Sequence, residues 1–163
     1  GPSTAAAGTD RSGLRRLCSE LMDLEAEFLA DPAFESGSVA VVDWPLCQVR
    51  LQDDARFPWL ILIPRQAGLT ELDELEPSDL NMLMSEVLRA GDAVRAVGRM
   101  IDRPVEKLNI AALGNVTAQL HIHVIGRRSD DPVWPDPVWG RGSAERWSPQ
   151  RLQTLIEALR RNA

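Results

Sequence analysis

An α+β domain built on an antiparallel sheet is what this sequence predicts, and three observations predict it. Apolar residues recur at spacings of three and four in separate stretches, the mark of amphipathic helices. Between them lie short runs that alternate apolar and polar or are wholly apolar, the mark of strands. The links between neighbouring runs are of hairpin length, which favours antiparallel over parallel pairing. The expectation is about five strands, two main helices and a C-terminal helix in a single domain spanning residues 1–163.

Taken in order, residues 1–11 are small and polar and read as a flexible N-terminus with no signal-peptide pattern. Residues 12–30 carry Leu14, Leu17, Leu21, Leu24 and Phe28 on one helical face. Asp31-Pro32 is expected to stop that helix, because a residue before proline is pushed out of the α region. Strands follow at 38–44, 46–52 and 59–63, with Pro45 as one turn and residues 53–56 as the next connection. An acidic loop at 68–77, with a short turn at 71–75, leads to the longest helix. Ser78 is its expected N-cap, Gly98 its expected end, and Gly91 a mark of close packing. A fourth strand is expected at 107–113 and a fifth at 116–126. Residues 127–147 form an extended Trp/Pro-rich tail, in which Asp131-Pro132-Val133-Trp134 is nearly repeated as Asp136-Pro137-Val138-Trp139. Residues 148–163 form the closing helix, capped by Ser148 with Pro149 at its first position.

Composition removes several functional classes. A net charge of −6 argues against a nucleic-acid partner. No run of about 18 apolar residues exists, so no membrane span is expected. Cys18 and Cys47 fit neither a disulfide framework nor a metal spacing, and are expected to be buried free thiols in a cytoplasmic protein.

The chemistry concentrates in the fifth strand. Asn115, Thr117, Gln119, His121 and His123 share one parity, while Val116, Ala118, Leu120, Ile122 and Val124 share the other. The chain has two histidines, and this places both on one polar face, about 7 Å apart. Imidazole titrates near neutrality and suits acid/base, nucleophilic or metal chemistry. A two-His metal site of the cupin kind remains open, but it lacks a following Glu and a third His, and Arg127-Arg128 would repel a cation.

The run from Gly114 to Arg127 resembles the signature of the histidine-triad (HIT) superfamily, His-φ-His-φ-His-φ-φ with φ apolar, Gln119 standing in the first triad position. Phe57 to Arg65 is similar to that family's strand ending in an apolar run, Pro and a basic residue. Lys107-Leu108-Asn109-Ile110 is similar to its Asn-bearing strand. The likeness spans residues 46–127, and Trp134 to Gly140 is similar to the tail of a bacterial HIT-like hydrolase branch with Gln in that first place. Trp59 departs from the His that many members carry there.

The resemblance implies a HIT-like fold and a nucleotide hydrolase or nucleotidyl transferase acting at an α-phosphate. His121 would form a nucleotidyl-histidine intermediate, its other ring nitrogen donating to a backbone carbonyl. His123 would hydrogen-bond the phosphoryl or leaving-group oxygens. Gln119 can donate a hydrogen bond but carries no proton. Asn115 and Thr117 are expected at the substrate on the same face, Asn109 and Asp53 near the ribose. Either Arg127 or its neighbour Arg128 would add charge. Trp134 and Trp139 are expected to pack on the sheet or on a partner subunit. No cofactor is implied; the substrate would be a nucleotide or dinucleoside polyphosphate, and the assembly a homodimer joined through sheet edges. A catalytically weak nucleotide-binding protein is the alternative that Gln119 leaves open.

Overall fold

A computed structural model of the chain describes residues 11–25 and 27–162; the expected flexible N-terminus lies almost wholly outside them. Five strands form one antiparallel sheet: β1 Ser38–Asp43, β2 Cys47–Gln52, β3 Trp59–Pro64, β4 Lys107–Ala111 and β5 Ile122–Arg127. Their order is β1-β2-β3-β5-β4, so β5 is an inner strand and β4 an edge. The helices are α1 Arg11–Glu25, α2 Pro77–Met100 and α3 Pro149–Arg161. The α+β class and the strand count follow the sequence expectation. No described helix is long and apolar enough to cross a membrane.

The sheet has two unlike faces. Val49, Leu51, Leu60, Leu62, Ile122 and Val124 pack against Leu83, Val87, Ala90 and Val94 of α2 and Leu155, Ile156 and Leu159 of α3. Each such side chain contributes roughly 1.5–3 kcal/mol when fully buried, so this apolar layer holds the fold. On the other face Phe57, Trp59, Ile61, Ile63 and Ile125 meet Phe34 and Val138 from flanking loops. Arg50, His123 and Arg127 are buried there too. That polar content makes the second face the one with chemistry.

The β1–β2 turn is closed from the helix side. Glu86 of α2 is buried, and its carboxylate accepts from the backbone N–H of Leu46 (2.9 Å) and Cys47 (2.8 Å). Burial first, then the charge and hydrogen bond of Glu86, push the Cys47 thiol far above its ordinary range, which leaves it unreactive at neutral pH. Cys18, expected to be buried, is exposed.

Several boundaries move. The first helix ends at Glu25, not at residue 30, and Leu14 and Leu17 on it are about half exposed. Asp31-Pro32 opens a short 3-10 helix, Pro32–Ser36, instead of only closing one. The Asp31 side chain accepts from Ala33 N–H (2.9 Å) as a cap, with proline pre-set at the first position. The same logic shifts the start of α2: Pro77 takes the first position and Glu76 the cap, leaving Ser78 inside the helix. Gly98 does not end α2. A Cβ there would lie 2.8 Å from the Arg103 carbonyl oxygen, so the glycine admits the returning chain. At Gly91 a Cβ would lie 2.9 Å from Leu108, the close packing expected of it.

The largest correction concerns β5. It begins at Ile122, and residues 114–121 are bends and loop. Strand pairing needs neighbours, and they run out: the last rungs are Leu62 to Ile122 and Ala111 to His123. Val116, expected on the buried parity, is fully exposed, whereas Leu120 still points into the core.

Candidate active site

His123 sits on the inner strand, opposite Ile61 of β3 and Ala111 of β4. His121 stands two residues earlier, where the chain enters the sheet. Both rings lie on the face away from the helices, 4.9 Å apart between centroids and at 77°. Each is only 7% exposed. They form part of the floor of a cavity of about 410 Å³, walled by Phe34 and residues 36–38 on one side, residues 113–117 on another, and Trp139. A row of rings runs along it: Phe34 lies 4.9 Å from His121, and Trp139 lies 5.1 Å from His123.

Hydrogen bonds assign the two tautomers. His121 Nδ1 lies 2.6 Å from the Gln119 carbonyl oxygen. A carbonyl only accepts, so Nδ1 carries the hydrogen and Nε2 keeps its lone pair for the cavity. The Trp59 indole N–H donates to His123 Nδ1 at 3.0 Å. An indole only donates, so that nitrogen is unprotonated and the hydrogen of neutral His123 is on Nε2. Burial, with a smaller contribution from His121, pushes His123 down to about 4. One imidazole therefore offers a nucleophilic nitrogen and its neighbour offers a donor.

The other expected residues divide. Asn115 and Thr117 line the histidine cavity. Gln119 is turned elsewhere: its Oε1 accepts from Asp31 N–H (2.7 Å) and its Nε2 donates to the Leu29 carbonyl (2.9 Å). The amide ties down the segment that carries Phe34, and it does so because residue 119 lies in a loop, not on the strand. Asp53 is not a cavity residue. Its carboxylate accepts from Trp147 N–H (2.8 Å) and pairs with Arg146, while the preceding Gln52 takes the cavity wall. One residue of register turns a side chain to the other side.

Asn109 and Arg127 share the histidine face but stand along the sheet from the cavity. Asn109 Oδ1 accepts from Arg127 Nη1 (2.9 Å). The Arg127 guanidinium donates twice to Asp131, at 2.8 and 3.1 Å, and stacks between Phe57 and Trp134. It anchors the tail to the sheet. Burial alone would raise the Asp131 pKa; the Arg127 hydrogen bonds and the N–H groups of Arg128 and Val133 outweigh it and hold the carboxyl below its usual range. Arg128 turns to Asp130 and the Pro104 carbonyl at the edge.

Sequence reasoning missed the places of Phe34 and Trp139 on the cavity wall and of a buried cation on the same face, Arg50. Arg50 faces Ile61, which faces His123, so a cation stands on this face two strands from the histidine. It is 1% exposed, donates to the Ser38 hydroxyl (2.8 Å) and pairs with Glu35 (3.3 Å). Phe34 had no periodicity to reveal it. Trp139 packs on the sheet as expected, against Trp59 and His123, and also lines the cavity, while Trp134 remains 40% exposed. Among the described residues no group of three His, Cys, Asp or Glu gathers to hold a metal ion.

Comparison with known proteins agrees with this geometry. The family model for the HIT domain matches residues 33–130, well over half of the chain. A histidine triad protein from Sinorhizobium meliloti is 40% identical with a TM-score of 0.76, covering 83% of this chain and 97% of its own. One from Bradyrhizobium japonicum is 35% identical with a TM-score of 0.77, over 83% and 98%. A third, from Marinobacter aquaeolei, is 32% identical with a TM-score of 0.68, over 82% and 98%. No curated protein matches the chain. A domain match of that length, over a paired-histidine floor on the inner strand, places this chain in the HIT (histidine triad) family.

Proposed function

We propose that the protein is a nucleotide hydrolase or nucleotidyl transferase that works at an α-phosphate through His121. The observation that carries this reading is the opposed pair of tautomers, an attacking nitrogen beside a donor in a phosphate-sized cavity. The His121 lone pair attacks phosphorus in line with the departing oxygen, giving a nucleotidyl-histidine that water resolves. His123 donates to the phosphoryl or leaving-group oxygen, and Asn115 and Thr117 supply further donors on the facing wall. Gln119 acts on the loop carrying Phe34, and Asn109, Asp53 and Arg127 act by holding the strands and tail around the cavity. The substrate is a nucleotide or dinucleoside polyphosphate. A cytoplasmic setting belongs to the same reading.

A second reading has one observation in its favour. Because both ends of the Gln119 amide are engaged by backbone, the site has two imidazoles and no third donor from that position, as a binding protein without turnover would. Rapid quenching with a labelled dinucleoside polyphosphate separates the two. The enzyme reading expects a nucleotidyl adduct on a peptide containing His121. Tight binding by calorimetry with no adduct and no product would leave only the binding protein.

The homodimer belongs to this proposal as well. The outer edge of β4 is unpaired in the sheet, and Ile110 on it is 50% exposed. Leu80, Met84 and Leu88 form an exposed apolar stripe on α2. An open edge beside such a stripe is protected by a second copy. Light scattering should give twice the 18.0 kDa chain mass, and Leu88→Asp should yield monomer. A monomeric wild type would reject the dimer.

A further inference from the structure

We propose that Trp59 is a positioning residue that locks His123 as a neutral Nε2–H donor, and that the site therefore expels leaving groups as anions, phosphoanhydride oxygens above all, in preference to amines or alkoxides. The inference rests on the α-phosphate reading above. Its geometric basis is the single 3.0 Å bond from the indole N–H to Nδ1. A second proton on His123 would have to sit on Nδ1, facing that N–H, so protonation breaks the bond and sets two donors against each other.

The surroundings oppose protonation as well. The partners of His123 across the sheet are Ile61 on β3 and Ala111 on β4, and Trp59, Trp139 and His121 meet its ring. On the same face of the sheet stand the cations Arg50 on β2 and Lys107 and Arg127 at the far end of β4 and β5, and the one strand carboxylate, Asp43, lies on the edge strand β1 opposite Gln48, three strands from His123. Glu35 on the 3-10 turn is paired with Arg50, and Asp31 before it caps Ala33. Among the described residues no carboxylate bonds to either imidazole. Burial and His121 hold His123 near 4.

No other acid or base lines the cavity: besides the two histidines its polar side chains are the hydroxyls of Ser36, Ser38 and Thr117 and the amides of Gln52 and Asn115. The Nδ1 hydrogen of His121 is held by the Gln119 carbonyl, and its Nε2 is the attacking atom. The Gln119 amide carries no acid proton. The step then runs without proton transfer. A bond forms from Nε2 to phosphorus, the bond from phosphorus to the departing oxygen breaks, and its electron pair leaves with that oxygen under the His123 N–H. Water next adds to phosphorus, the pair returns to Nε2, and the surplus proton of that water passes to solvent. A phosphate oxygen leaves readily as an anion. An amine does not, because its nitrogen needs a proton first.

The test compares substrates sharing one nucleoside: diadenosine triphosphate, adenosine 5′-phosphoramidate, and aryl esters of AMP with phenols of graded acidity. For wild type, kcat/KM should fall steeply with phenol pKa. The anhydride should exceed the phosphoramidate by about 10²-fold or more, the usual scale of a missing general acid. The ratio of anhydride to phosphoramidate cleavage, in which the shared attacking group cancels, should stay flat from pH 8 to 5. Trp59→Phe frees Nδ1, so the Nδ1–H tautomer of His123 should become populated and its protonation should rise above that of the wild type, although burial and His121 still hold it low; the preference should shrink toward pH 5. Nitrogen-15 NMR of the wild type needs no variant and should show His123 protonated on Nε2 alone. A wild type that cleaves the phosphoramidate as fast as the anhydride, or whose His123 carries hydrogen on Nδ1, would overturn the proposal. Failure to turn over any of these substrates would end the α-phosphate reading and the leaving-group selection with it, while the spectrum alone still decides the lock.

Discussion

His121→Ala should lower kcat/KM for a dinucleoside polyphosphate by about 10⁴-fold or more, the scale on which removal of a nucleophile acts when the remaining site still binds substrate. Three features of the ring make the loss large. Its Nδ1 hydrogen is fixed on a backbone carbonyl at 2.6 Å, so the attacking tautomer needs no rearrangement. The ring is buried on the cavity floor against Phe34, which holds its plane. The neighbouring His123 cannot substitute, since its Nδ1 is occupied by Trp59 and its Nε2 bears the hydrogen of the neutral ring. Nucleotide affinity should change far less than rate, because Asn115, Thr117 and Phe34 remain. Steady-state kinetics together with calorimetry on the variant provide the check. A variant within tenfold of wild type would remove His121 from the chemistry.

The second large effect is on stability. Arg127→Ala should destabilise the fold by about 3–5 kcal/mol, the range for removing one member of a buried ion pair. The Asp131 side chain, 3% exposed, would keep only the N–H groups of Arg128 (3.2 Å) and Val133 (3.0 Å) as partners. Asn109 would lose a donor, and Phe57 and Trp134 the cation between them. At roughly 2–4 °C per kcal/mol for a chain of this size, the midpoint should fall by about 10 °C. The charge-free pair Arg127→Met with Asp131→Leu should recover most of it, because the penalty is an orphaned carboxylate and not lost attraction. Urea unfolding of the three proteins measures this; a single variant within 1 kcal/mol of wild type would show that the tail is held by other contacts.

Legibility in the sequence followed the physics of each residue. β2 and β5 read from the alternation of their side chains, and β3 from an unbroken apolar run, because both of its faces are buried. The same alternation continued through residues 115–121, but those residues have no neighbouring strands to pair with, so the period carried on into a loop. Gln119 could not be placed for a related reason: its partners lie near residue 30, and a contact between segments that distant leaves no local trace. Asp53 and Gln52 differ by one register step, finer than turn chemistry resolves. Arg127 reads as a cation for the substrate and Arg50 gives no sign of burial, until Ser38, Glu35, Asn109 and Asp131 show what compensates the burial of both. His121 and His123, in contrast, stood out because the chain has no other histidine.

The Gln119 amide joins the loop before β5 to the segment before Phe34 by two hydrogen bonds, one given and one received. Those two stretches of backbone flank the same cleft, so the clasp sets its gauge before any ligand arrives. A cleft of preset width discriminates as a calliper does: it takes a ligand of matching thickness with little reshaping.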